Sequence, residues 1–192
     1  MKACDESLRE IDHRDDLPEW LIRHYRKVGV EILMEPIAFI GVLHCEYEQK
    51  FAAWGPLCHL IDPWHAQAED VYRDSQNTEA HLESAYWTAK GRMPNATFRR
   101  MLSLEAAPLF GDGLLSCVHL DGNHSYAAVS ADIAAWWPKV RPGGLLCGHD
   151  AYTRQRDANS DALNAVLDFA ERINTRPHVT YCTSYYFRKP LA

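Results

Sequence analysis

Asp121, His124, His149 and Asp150 carry the side chains best suited to chemistry here, in two short clusters, D-G-N-H and G-H-D. Carboxylates are hard oxygen donors that suit magnesium, and an added imidazole also accepts manganese or iron. Imidazole titrates near neutrality, so a histidine beside such a centre can take a proton from a hydroxyl. Each residue also has a plainer reading. Asp121 can simply form a turn after a strand, His149-Asp150 can be a satisfied loop pair, and His124 can be solvated or cap a helix. The elements around them decide between these readings.

Val118, His119 and Leu120 are β-compatible and stop at Asp121-Gly122-Asn123-His124. A helix is expected from Ser125, with Val129, Ile133, Trp136 or Trp137, and Val140 at helical spacing. At that spacing Tyr126, Trp136 and Trp137 read as packing residues. Pro142-Gly143-Gly144 should end the helix, and Leu145-Leu146-Cys147 should start a second strand closed by Gly148-His149-Asp150. Two parallel strands joined by a right-handed crossover bring their carboxyl ends side by side. All four polar residues would then rim one crevice, where open α/β sheets bind ligands.

Residues 1–16 are highly charged and are expected to fray, followed by a short helix around Asp16 to Arg26 with Pro18 in its first turn. Trp20, Leu21 and Tyr25 would line one face of it. Val28 to Val42 is apolar-rich, EYEQKFAAW is helix-like, and Pro56 to Ile61 reads as a strand ending at Asp62. One or two helices are expected over 65–92, a strand over Thr97 to Met101 and a helix over Leu104 to Phe110. The segment after Asp150 would form a polar rim, Ser160 would cap a helix, and HVTYCTSYYFRK would give two short β segments at the sheet edge. Strands alternating with helices predict an α/β chain. The expected organisation is an N-terminal extension, residues 1–27, and a single domain, residues 28–192.

With 192 residues and a net charge of −6, the chain can build a substantial core but would repel nucleic-acid phosphates. No apolar run reaches membrane-spanning length, and the acidic N-terminus does not read as a secretory signal, so a cytoplasmic location is expected. Six cysteines without a C-x-x-C pair read as small core hydrophobes.

The D-G-N-H-S-Y, W-W-P-K-V-R-P-G-G and G-H-D elements resemble the second half of class I S-adenosylmethionine-dependent methyltransferases. The resembled branch is the small-molecule O-methyltransferases with a divalent-metal site (methyltransferase domain 24-like). The resemblance is specific across residues 103–152 and extends from about residue 28 to the C-terminus. It implies a Rossmann-like, doubly wound, mostly parallel sheet with helices on both faces and an antiparallel C-terminal strand. It places Asp121, His149 and Asp150 at metal-ligand positions, His124 at the general base, and Glu31, Gly41, Asp62, Ser103 and Asp121 around the cofactor. Asp62 would accept the ribose hydroxyls, or merely begin a turn with Pro63. Ser103 would lie near the adenine, or cap the following helix. Tyr152 and His65 are candidates for the acceptor pocket.

The family's first strand leads into V-E-I-G-V-x-x-G-E-Y-S. This chain has Val28-Gly29-Val30-Glu31-Ile32, then LMEPIAFI, then Gly41-Val42-Leu43-His44-Cys45-Glu46-Tyr47-Glu48. Either LMEPIAFI is an insertion in that loop, or Pro36 to Val42 is the true first strand, with Phe39 at the usual acidic position. Cys45 replaces the second turn glycine, and Glu48, in place of serine, would set a negative charge beside the cofactor's carboxylate. The function implied is methyl transfer from S-adenosylmethionine to a hydroxyl of a small molecule, assisted by Mg2+ or another divalent cation. The expected partner is that acceptor, with a homo-oligomer left open and neither nucleic acid nor membrane. The alternatives are a non-catalytic binding or scaffold protein of the same fold, and a metal-dependent enzyme of another class.

Overall fold

In a computed structural model, the structure describes residues 6–27, 35–66, 78–151 and 161–191. Among the described residues, seven strands form one sheet: β1 (Ile37–Ile40), β2 (Cys58–Asp62), β3 (Thr97–Arg100), β4 (Leu115–Leu120), β5 (Val140–Gly148), β6 (His178–Val179) and β7 (Tyr185–Arg188). Their spatial order is β3-β2-β1-β4-β5-β7-β6. The β1–β2, β1–β4, β2–β3 and β4–β5 pairs are parallel, whereas β7 runs antiparallel to β5 and β6. The order reverses between β1 and β4, which opens a crevice at their carboxyl ends.

The helices are α1 (Leu17–Lys27), α2 (Glu79–Arg92), α3 (Ser103–Ala106), α4 (Tyr126–Trp136) and α5 (Ala162–Arg172). Alternation along β1 divides the core in two. Ile37 and Phe39 pack with Trp20, Phe51, Trp54 and Trp64 on one face. Ala38 and Ile40 pack with Ile133, Trp136, Val166 and Phe187 on the other. A parallel sheet covered on both faces needs such continuously apolar strands, and all four residues of β1 are buried. No helix among the described residues is long and apolar enough to cross a membrane.

Several sequence expectations are corrected. Among the described residues the first strand is β1, which falls within the Pro36 to Val42 alternative, and Glu31 lies outside the described residues. Residues 6–16 are not frayed: Glu6–Glu10 and Arg14–Asp16 form 3-10 helices, and Leu8 and Ile11 are fully buried. Apolar anchoring from a charged segment outweighs its composition. Val140 is not helical. The helix stops at Trp136, Pro138 sits in a following 3-10 turn, and β5 begins at Val140, with Pro142-Gly143-Gly144 as an irregularity inside the strand. Missing or turned N–H groups there shift the β4–β5 register rather than ending an element. The EYEQKFAAW stretch becomes a 3-10 helix, Glu48–Leu57, instead of an α-helix.

Tyr126 does not pack inside; it is exposed, and its hydroxyl donates to Asp168 Oδ2 at 2.6 Å. Cys45, Cys58, Cys117 and Cys147 are buried free thiols, whereas Cys182 is only half-buried. Ser160, Tyr152 and most of the expected polar rim lie outside the described residues, as does part of the segment 65–92.

Candidate active site

The backbone of β1 fixes the first acidic residue. Asp121 N–H donates to Ile40 O at 2.8 Å, and Gly41 N–H to Ile61 O at 2.9 Å. Gly41 has φ +78, and a β-carbon there would sit 2.3 Å from Asp121 O. The space in front of Gly41 is therefore filled by the chain turning through Asp121-Gly122. That turn ends in an Asx motif, Ser125 N–H to Asn123 Oδ1 at 2.9 Å, and Ser125 Oγ then caps α4 through Ala128 N–H at 3.2 Å.

At the neighbouring tip, His149 N–H donates to Leu120 O at 3.1 Å. Asp150 adopts φ +55, a left-handed conformation that aspartate tolerates better than most residues. Asp161 N–H holds His124 O at 3.2 Å, tying the start of α5 to the same loop.

These supports bring the four side chains together. His124 Nε2 lies 3.4 Å from Asp121 Oδ1, and its Nδ1 lies 3.4 Å from Asp150 Oδ2. One ligand atom each from Asp121, His124 and Asp150 fall within 4.8 Å of one another. His149 Nδ1 bonds Asp150 Oδ1 at 2.9 Å and stands 3.9 Å from Asp121 Oδ1. Burial pushes the Asp121 carboxyl up, but the His124 hydrogen bond and the neighbouring His149 imidazole outweigh it and hold the group below its ordinary value. The His149 hydrogen bond holds Asp150 low as well, and in return Asp150 raises His149. Two ionised carboxylates and an imidazole are a donor set that fits a divalent cation.

Asp62, at the end of β2, accepts Trp64 N–H at Oδ1 (2.7 Å) and Leu43 N–H at Oδ2 (3.1 Å). Trp64 Nε1–H closes the same bracket on Leu43 O at 2.8 Å. In the β1–β2 connection Leu43 (φ +43) and Cys45 (φ +62) both take left-handed conformations, each a cost of about 1–3 kcal/mol. The backbone thus makes the glycine-type turn without the second glycine. Glu48 is buried, and burial lifts its carboxyl to about 8, so it is mostly neutral at pH 7, which corrects the expected negative charge. Ser103 does not cap α3; it is the first residue of the helix, where its hydroxyl donates to Asp132 Oδ1 at 2.5 Å and accepts Trp136 Nε1–H at 2.9 Å.

Two contributors escape a reading of the sequence. A cleft of about 250 Å3 beside the centre is walled by His13, Arg14, Glu46, Tyr47, Lys50 and His149. Arg14 Nη1 stands 3.7 Å from Asp121 Oδ2. Nothing local marks Arg14, because more than a hundred residues separate it from Asp121. His119, in β4, is fully buried against Tyr47 (ring centroids 4.9 Å), and burial lowers its imidazole to about 4, so it stays neutral.

The strand order, the crevice at the switch point and the paired acidic tips define a Rossmann-like methyltransferase fold. A sequence model of the methyltransferase-domain family matches residues 42–151, more than half of the chain. The protein belongs to that family, the S-adenosylmethionine-dependent methyltransferases of class I. The chain is 27% identical over 104 residues to an uncharacterised protein, y4gI, of Sinorhizobium fredii, a match covering 51% of the chain but only 10% of that relative. It therefore spans about a tenth of the length of the curated relative it matches. Among solved structures it resembles the O-methyltransferase NovP, with TM-score 0.63, 13% identity and coverage of 92% of this chain and 79% of that one. It also resembles the calicheamicin methyltransferase CalS11, with TM-score 0.57, 12% identity and coverage of 91% and 83%. At such identities the likeness shows the fold.

Proposed function

We propose that the protein transfers the methyl group of S-adenosylmethionine to a hydroxyl of a small molecule, with a divalent cation such as Mg2+ held at the β4 and β5 tips. The observation that carries this reading is the convergence of Asp121, His124 and Asp150 within 4.8 Å from two strand ends. A bound cation would stabilise the oxyanion of the acceptor. In this reading Asp121 and Asp150 are the oxygen donors and His124, grouped with them within 4.8 Å, is the nitrogen donor. His149 lines the cleft, and with Nδ1 held by Asp150 its Nε2 is the nitrogen left to take the hydroxyl proton. Bound S-adenosylmethionine would supply the methyl group from its sulfonium, the hydroxyl proton passing to His149 and neutral S-adenosylhomocysteine leaving. Asp62, already fixed by two N–H groups, keeps acceptor capacity for the ribose hydroxyls.

Incubation with S-adenosylmethionine, Mg2+ and a panel of phenols and sugars tests the reading. S-adenosylhomocysteine should form, and chelation should stop it. Absence of binding to S-adenosylmethionine in calorimetry would remove it.

A further inference from the structure

Arg14 reaches the carboxylate centre from a segment far away in the chain. Its backbone is tightly held: Tyr47 Oη–H donates to Arg14 O at 2.9 Å, and His13 and Asp16 cap the 3-10 turn reciprocally. Its guanidinium lies over the Tyr47 ring at 5.1 Å and faces Asp121 at 3.7 Å. Asp15 pairs with Lys50 next door. Upstream Leu8 and Ile11, and downstream Leu17 and Trp20, are buried, so residues 12–16 cross the site like a strap between two fixed ends. Movement of that strap alone, with both anchors kept, would carry Arg14 away from Asp121.

We propose that Arg14 is the resident cation of this centre, and that it and a divalent ion compete for Asp121, so the N-terminal strap loosens when the ion binds. The inference rests on the metal reading above. Arg14 uses Oδ2 of the same carboxylate whose Oδ1 faces His124, and two positive groups on one carboxylate repel each other. Coupling of this kind is reciprocal: what weakens ion binding is itself weakened by the ion. Arg14 is thus an affinity-setting residue rather than one that touches the reacting atoms.

Calorimetric titration of Mn2+ into the full chain tests it, using the native protein, Arg14→Gln and Arg14→Lys. Arg14→Gln keeps size but loses charge and should bind Mn2+ roughly tenfold more tightly, whereas Arg14→Lys should stay within about twofold of the native affinity. Hydrogen exchange of the native chain should quicken over residues 12–16 when Mn2+ is added. Equal affinity in all three proteins would overturn the competition while leaving the metal reading intact, as would an equal gain in both variants. If none of the three binds Mn2+, the metal reading itself fails, and this inference falls with it.

Discussion

Gly41 and Asp121 are in backbone contact: a β-carbon on the first would lie 2.3 Å from the carbonyl oxygen of the second. The end of β1 thereby sets the height of the first carboxylate in the crevice. Gly41→Ala adds both a clash against main chain and an L-residue at φ +78. Together these should cost about 3 kcal/mol or more in denaturant unfolding, adding overpacking to a left-handed backbone. Any protein that still folds should also lose methyl transfer, because Asp121 must shift. A change below about 1 kcal/mol, the low end for overpacking, would show that the contact is looser than the structure gives.

His124 and His149 can be separated by experiment. His124→Ala removes the imidazole between the two carboxylates and should weaken Mn2+ binding by roughly tenfold or more, the scale set by losing a group that holds or orients a ligand. His149→Ala should weaken Mn2+ binding less than His124→Ala does, and at saturating Mn2+ should lower kcat by roughly 100-fold, the usual effect of losing a positioned base. Exchanged phenotypes would return the base to His124 and the ligand role to His149.

Asp150 also sets the pH at which His149 works. Its hydrogen bond raises His149 above the ordinary imidazole value, so the neutral base becomes available only on the alkaline side of about 6.5. In the metal-free chain the His149 imidazole should therefore titrate above that value when followed by NMR against pH. His149 is stabilised in its charged form, so its contribution to stability is present below the unfolded value and fades as pH rises through the folded one. Titration of the metal-free chain at or below the ordinary imidazole value would show that Asp150 does not hold the proton on His149.

What the sequence discloses, and what it hides, follow from the range of the interactions involved. The strand–loop–helix–strand run from Val118 to Asp150 is local, so its periodicity and turn residues expose the tips and their four polar residues. Val140 keeps helical spacing yet lies in β5, because spacing alone does not report the stop at Pro138. In the β1 region, both Val28–Ile32 and Pro36–Val42 are apolar-rich in sequence, and composition alone does not tell that Ile37–Ile40 pairs with β2 and β4. The roles of Arg14, Leu8 and Ile11 are hidden because a charged segment gives no local sign that distant partners will order it. Glu48 reads as anionic for a similar reason: its protonation follows from burial, which is a tertiary property.

Two buried carboxyls predict how stability depends on pH. Glu48 is lifted to about 8 and Asp132 to about 6, in both cases chiefly by burial. A carboxyl with a raised folded value holds its proton more tightly in the folded chain than in the unfolded one. Its stabilising effect is complete below the unfolded value, near 4, and disappears as pH climbs through the folded value. The chain should therefore lose stability between about pH 4 and 6 through Asp132, and up to about pH 8 through Glu48. A tenfold difference in proton affinity is worth about 1.4 kcal/mol, so Asp132 alone accounts for about 3 kcal/mol. Asp132→Asn keeps an acceptor for the Ser103 hydroxyl and cannot ionise. Its melting temperature should exceed that of the native chain at about pH 8 and match it at about pH 4, either side of the folded value. Glu48→Gln should show the same pattern, with its gain appearing at about pH 9. If native and substituted chains differ equally at every pH, protonation of these groups is not what links stability to pH.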